Sequence, residues 1–179
     1  FQGPKAMEVM KKFVPKAAEL KRFWILETEL FGKHAFVMRT GYTGENGVEI
    51  ATDAQTIVKV WDELLRLGKD YGVVPCGLGS RDTLRLEAGL LLYGQDVDEE
   101  HSSFEAGYGW VVKFDKGEFI DRQYLLRQST EGVKRKLTGF MLKAGGVPRH
   151  GCAVYRNGQR IGDLTSATFS PLLGKGIGV

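Results

Sequence analysis

Two glycine-punctuated segments constrain this chain most. The first is Gly41-Tyr42-Thr43-Gly44-Glu45-Asn46-Gly47-Val48-Glu49-Ile50, a glycine-rich turn that runs straight into a strand. The second is Gly77-Leu78-Gly79-Ser80-Arg81-Asp82-Thr83-Leu84-Arg85-Leu86-Glu87-Ala88-Gly89, a helix whose polar groups lie beside its apolar stripe rather than opposite it. Glu49 falls where a buried strand should begin, and Arg81 and Arg85 fall where a core helix should be apolar. An unpaired buried charge costs several kcal/mol or more. These three side chains are therefore expected to have partners, and one such partner could be a bound ligand.

The remaining pattern fills in a mixed fold. Pro4 suits the first turn of a helix running to about Phe13, with a second short helix after Pro15. Residues 23–30 and 34–40 are rich in aromatic and branched side chains and form a predicted hairpin about Gly32-Lys33. Thr52-Asp53-Ala54-Gln55 fits a capping box with the Thr hydroxyl as the cap. Ile57, Trp61, Leu64 and Leu65 then fall on one face of a helix ending at Gly68. Residues 110–114 (Trp-Val-Val-Lys-Phe) predict a strand or core segment, and residues 121–127 a short helix. A run of strands is expected from Lys134 onward, and Asn157-Gly158 is a strong hairpin signal. The fold class is α+β: helices packed on antiparallel sheet over residues 1–131, followed over residues 132–179 by the start of an all-β unit.

Composition excludes several functions. The net charge of +3 does not argue for nucleic acid, though it suits an anionic ligand. The longest aliphatic run, Leu90-Leu91-Leu92, is far too short to span a bilayer as a helix. Cys76 and Cys152 stand alone, so neither a metal cluster nor a disulfide framework is expected. His34, His101 and His150 have no metal-ligand spacing. Both ends of the chain read as interior segments, and it is expected to be a piece of a longer protein.

Three residues are singled out as a binding set. The Glu49 carboxylate can accept two parallel hydrogen bonds, matching a planar edge with adjacent N–H donors: an arginine, or the amino-pyrimidinone face of a pterin. The plainer alternative is a half-exposed strand Glu paired with a neighbouring Lys or Arg. Arg81 and Arg85 sit one turn apart; Asp82 can serve Arg85 at i+3, leaving Arg81 for a ligand carboxylate or ring carbonyl. The alternative is ion pairing inside the helix. Tyr42, between glycines, can stack on a flat heterocycle or cap the edge of the core.

At these residues the sequence resembles the glycine cleavage system T-protein (aminomethyltransferase) family. The resemblance runs through the 41–50 segment, Arg81-Asp82, Leu84-Arg85-Leu86-Glu87-Ala88-Gly89 and Tyr93-Gly94. It continues through Val147-Pro148-Arg149, Gly162, Thr165-Ser166 and Ser170-Pro171. It implies the second half of a folate-binding domain over residues 1–131 and a truncated C-terminal β-barrel domain over residues 132–179. It also implies a one-carbon transferase that moves the methylene of an aminomethyl-lipoyl group on a partner, the H-protein, to tetrahydrofolate with release of ammonia. On that resemblance Glu49 binds the pterin edge, Arg81 contacts the folate and Tyr42 lines its pocket. The family's catalytic aspartate falls in a portion outside this chain, so no catalytic residue is assigned within it, and the chain alone is expected to be inactive. A bacterial cytoplasm is the expected location, ahead of a mitochondrial matrix.

Two rival functions share the scaffold. One is a folate-dependent demethylase, or the folate domain of a related dehydrogenase; those relatives diverge along the Arg81 helix. The other is a non-catalytic folate-binding module, whose lysine-glycine-cysteine motif is absent, since Cys76 has Pro75 and Gly77 as neighbours.

Overall fold

A computed structural model describes residues 1–179. The chain divides into two compact units, Phe1–Ala88 and Gly89–Val179. In the first, three antiparallel strands lie in the order β1 (Ile25–Leu30), β2 (Lys33–Met38), β3 (Glu49–Thr52). Register is set by Ile25 opposite Met38 and by Met38 opposite Glu49. Helices α1 (Ala6–Phe13), α2 (Pro15–Ala18) and α3 (Ala54–Gly68) share its core. The alternation of β2 buries Ala35 and Val37 completely. They join Val9, Met10 and Ala17 from the first two helices, Val14 between those helices, and Val60 and Leu64 from α3. Fully burying a side chain of this kind contributes about 1.5–3 kcal/mol, so this cluster holds the sheet that carries Glu49.

Helix α3 is capped one residue later than the sequence suggests. Asp53, not Thr52, accepts from the backbone N–H groups of Gln55 and Thr56, each at 3.0 Å. Hydrogen bonds from Thr56 are the largest cause holding the Asp53 carboxyl below the usual carboxylate range. Thr52 is unavailable because its hydroxyl donates across the sheet to the His34 carbonyl at 2.8 Å. The buried face of α3 is also rotated from the predicted one: Thr56, Val60, Leu64 and Gly68 are buried, whereas Trp61 is 53% exposed. Helix α4 (Leu78–Glu87) follows the Pro75-Cys76-Gly77 approach and ends before Gly89, as the glycine and proline punctuation implies.

The second unit contains α5 (Arg122–Glu131) and the strands β4 (Phe140–Met141), β5 (Ala153–Arg156), β6 (Gln159–Asp163), β7 (Ala167–Ser170) and β8 (Lys175–Gly178). β4, β8 and β7 form one antiparallel sheet, and β5 and β6 a hairpin. Asn157 and Gly158 turn that hairpin with φ of 53° and 79°, the left-handed pair a two-residue turn requires. One strand prediction fails here and another starts late. Residues 109–111 and 114–116 are short 3-10 turns, and Trp110 is 72% exposed. Local bonds, Val111 N–H to the Tyr108 carbonyl and Val112 N–H to Gly109, satisfy a backbone that apolar content alone suggested was extended. The run of strands expected from Lys134 is present but begins only at Phe140, since residues 134–139 pair in no sheet. Arg135 and Leu137 are held by Glu105 instead, the first through its carboxylate at 2.8 Å and the second through its carbonyl at 2.9 Å. No helix is long and apolar enough to cross a membrane.

Candidate functional site

The loop of residues 41–47 joins β2 to β3, and two long side chains close its neck. The Gln2 amide donates to the carbonyls of Thr40, at 3.0 Å, and Val48, at 3.1 Å, bridging both legs of the loop. The Arg39 guanidinium donates to the Gly47 carbonyl and to Asn46 Oδ1, both at 3.0 Å. The chain start runs alongside: Val48 N–H reaches the Phe1 carbonyl at 2.8 Å, and Gly3 N–H reaches Asn46 at 2.8 Å. Glycine is required where these pieces touch. A Cβ at Gly47 would lie 2.3 Å from the Phe1 carbonyl oxygen, and one at Gly41 would collide with the Gln2 amide.

This anchored loop carries Tyr42 and ends next to Glu49. The Arg81 guanidinium, one turn into α4, lies over the Tyr42 ring with 4.8 Å between its central carbon and the ring centroid. Glu49 Oε2 accepts from the Thr40 hydroxyl. The two charges thus engage neutral groups rather than each other.

A cavity of about 840 Å³ opens beside Arg81, walled by Phe1, Ile57, Trp61, Val74 and Leu84 among others. Its size and mostly apolar lining, with a single guanidinium at the wall, are those of a small-molecule site. Thr43 of the glycine loop lines it; Glu49 and Tyr42 do not. The structure therefore brings Tyr42 and Arg81 together and sets Glu49 at the far end of the same loop.

The burial premise needs correcting at two positions. Glu49 and Arg81 are exposed side chains, so neither needs a ligand to offset desolvation. Arg85 alone is buried, at 1% exposure, and its Nε and Nη2 each lie 2.8 Å from Asp82 Oδ1. Asp82 serves Arg85 as the i+3 spacing suggests. Thr40, Gln2 and Arg39 escaped the sequence reading. The first and last immediately precede the glycine turn, which is a usable signal; Gln2 lies 38 residues from Thr40, and no local pattern links them.

Residues 1–116 match the GCVT N-terminal domain and residues 135–179 match the Glycine cleavage T-protein C-terminal barrel domain. The chain belongs to the glycine cleavage T-protein family. Its relatives include the aminomethyltransferase of Caldanaerobacter subterraneus subsp. tengcongensis, 47% identical over 180 residues. That match takes in 99% of this chain and 48% of the relative. The aminomethyltransferase of Bacillus subtilis is 42% identical over 181 residues, which are 99% of this chain and 50% of that protein. The crystal structure of glycine cleavage system aminomethyltransferase T from Bartonella henselae superposes with a TM-score of 0.85 at 31% identity, over 99% of this chain and 48% of that one. The chain spans about half the length of these T-protein relatives. Its α+β unit with antiparallel sheets, followed by the beginning of a barrel domain, is the T-protein architecture.

Proposed function

We propose that this chain forms part of a tetrahydrofolate-dependent aminomethyltransferase of the glycine cleavage system. In this reading residues 1–131 are the folate-binding portion and residues 132–179 begin the barrel. The substrate is an aminomethyl group carried on the lipoyl sulfur of an H-protein. The carbon–sulfur bond breaks, the methylene joins tetrahydrofolate, ammonia departs, and a reduced lipoyl thiol remains. The chain's own contribution is to bind and orient the folate: positioning and charge stabilisation are the terms it can supply. Glu49 accepts the adjacent N–H donors of the pterin edge, Arg81 contacts the folate and Tyr42 flanks it. The bacterial source of the named relatives favours a bacterial cytoplasm.

The observation that carries this reading is the pairing of Arg81 with Tyr42 beside an apolar cavity, on a loop whose far end bears Glu49. Titrating tetrahydrofolate into the full-length gene product, then assaying with an aminomethylated lipoyl protein, tests it directly. Saturable folate binding with methylene transfer is expected; a protein that ignores folate refutes the proposal. Two variants test the residues. Glu49→Gln replaces an acceptor with a donor and is expected to weaken folate binding by about 1–3 kcal/mol. Arg81→Lys is expected to weaken it as well, because an ammonium lacks the planar fork and keeps only part of the contact with the Tyr42 ring. Unchanged affinity in both removes them from the binding set.

A further inference from the structure

We infer that Thr40 is a positioning residue for folate recognition: its hydroxyl holds the Glu49 carboxylate in one orientation before the ligand arrives. The inference rests on the reading of Glu49 as the pterin-edge acceptor. Three observations support it. Glu49 is an exposed side chain at the first residue of β3. The Thr40 hydroxyl donates to Glu49 Oε2, so one carboxylate oxygen is fixed while Oε1 remains open as an acceptor. Thr40 is itself anchored through its backbone, because its carbonyl accepts from the Gln2 amide at 3.0 Å and the same amide ties Val48, the residue before Glu49. Donor and acceptor are thus mounted on the two legs of one loop, and a single crosspiece locks the legs together.

The consequence is energetic rather than chemical. A flexible glutamate that must be ordered on binding loses rotamer freedom at that moment, and the loss subtracts from affinity. A glutamate already held by Thr40 has lost that freedom on folding. Oε1, together with the second lone pair of Oε2, is left for paired donors. Thr40 touches no ligand in this scheme. Its effect passes entirely through Glu49.

The test is calorimetric titration of the full-length gene product with tetrahydrofolate, with Tm recorded for each variant. Thr40→Val keeps the shape and removes the donor; affinity is expected to fall about fivefold. Thr40→Ser restores the hydroxyl and is expected to return affinity close to the parent. In a Glu49→Ala background, Thr40→Val is expected to change affinity no further. If Thr40→Val weakens binding equally in both backgrounds, or Thr40→Ser fails to rescue it, Thr40 acts only through the fold and the inference is wrong. It is equally wrong if Glu49→Ala weakens binding while Thr40→Val does not, and in that case the Glu49 reading survives. If Glu49→Ala leaves affinity untouched, the Glu49 reading fails and the positioning role goes with it.

Discussion

Gly47→Ala is expected to lower stability by about 3 kcal/mol, a large loss for a single methyl group. The added Cβ would stand 2.3 Å from the Phe1 carbonyl oxygen and 2.7 Å from Gln2 Cα. Both are backbone atoms, so no side-chain rotation relieves the contact. Relief needs the chain start to move away from the loop. That movement disturbs the bond from Val48 N–H to Phe1 and the two bonds of the Gln2 amide, which together close the loop neck. Gly79→Ala provides a control of opposite sign. Gly79 lies in α4 with no heavy atom within 4 Å of the new Cβ, so alanine there is expected to stabilise by about 0.5–1 kcal/mol through helix propensity. Urea denaturation distinguishes the two: the midpoint should fall for Gly47→Ala and rise for Gly79→Ala, with slopes unchanged. A Gly47→Ala protein as stable as its parent would mean that the chain start does not lie against this loop.

Local signals carried through from sequence to structure, whereas long-range ones did not. The Asn157-Gly158 hairpin and the Pro15 helix start depend on a few neighbouring residues and formed where those residues required, and the β1–β2 turn formed one residue early, at Phe31-Gly32. The helix cap slipped by one residue because two adjacent side chains, Thr52 and Asp53, can both cap, and the sheet took the first. The segment around Trp110 misled because apolar content does not distinguish a strand from an exposed turn. At the site, residue types announced themselves through the glycine spacing, but their burial did not. Glu49 and Arg81 are exposed, and only the third charge, Arg85, is buried. The Gln2 crosspiece is a contact between distant parts of the chain, and no periodicity encodes it.

Arg85→Ala is expected to cost about 3 kcal/mol of stability, whereas Arg81→Lys, one turn earlier on the same helix, is expected to stay within about 0.5 kcal/mol of the parent. Arg85 is 1% exposed, and alanine there removes a long stem from a packed site along with the charge-assisted bonds to Asp82. Asp82 is 53% exposed, so its carboxylate is left to water and adds little to the loss. Arg85→Lys retains the stem and the charge but not the two-nitrogen grip on Asp82 Oδ1, and should fall between parent and alanine. Arg81 is solvent-exposed over the Tyr42 ring, a contact worth about 0.5–1 kcal/mol at such a site and partly kept by lysine. The two arginines thus divide the helix into a buried turn and an exposed turn. Thermal unfolding and folate titration of the same variants should separate them: stability should drop for Arg85→Ala, and affinity should drop without loss of stability for Arg81→Lys. Equal stability losses at both positions would show that Arg81 is a packing residue.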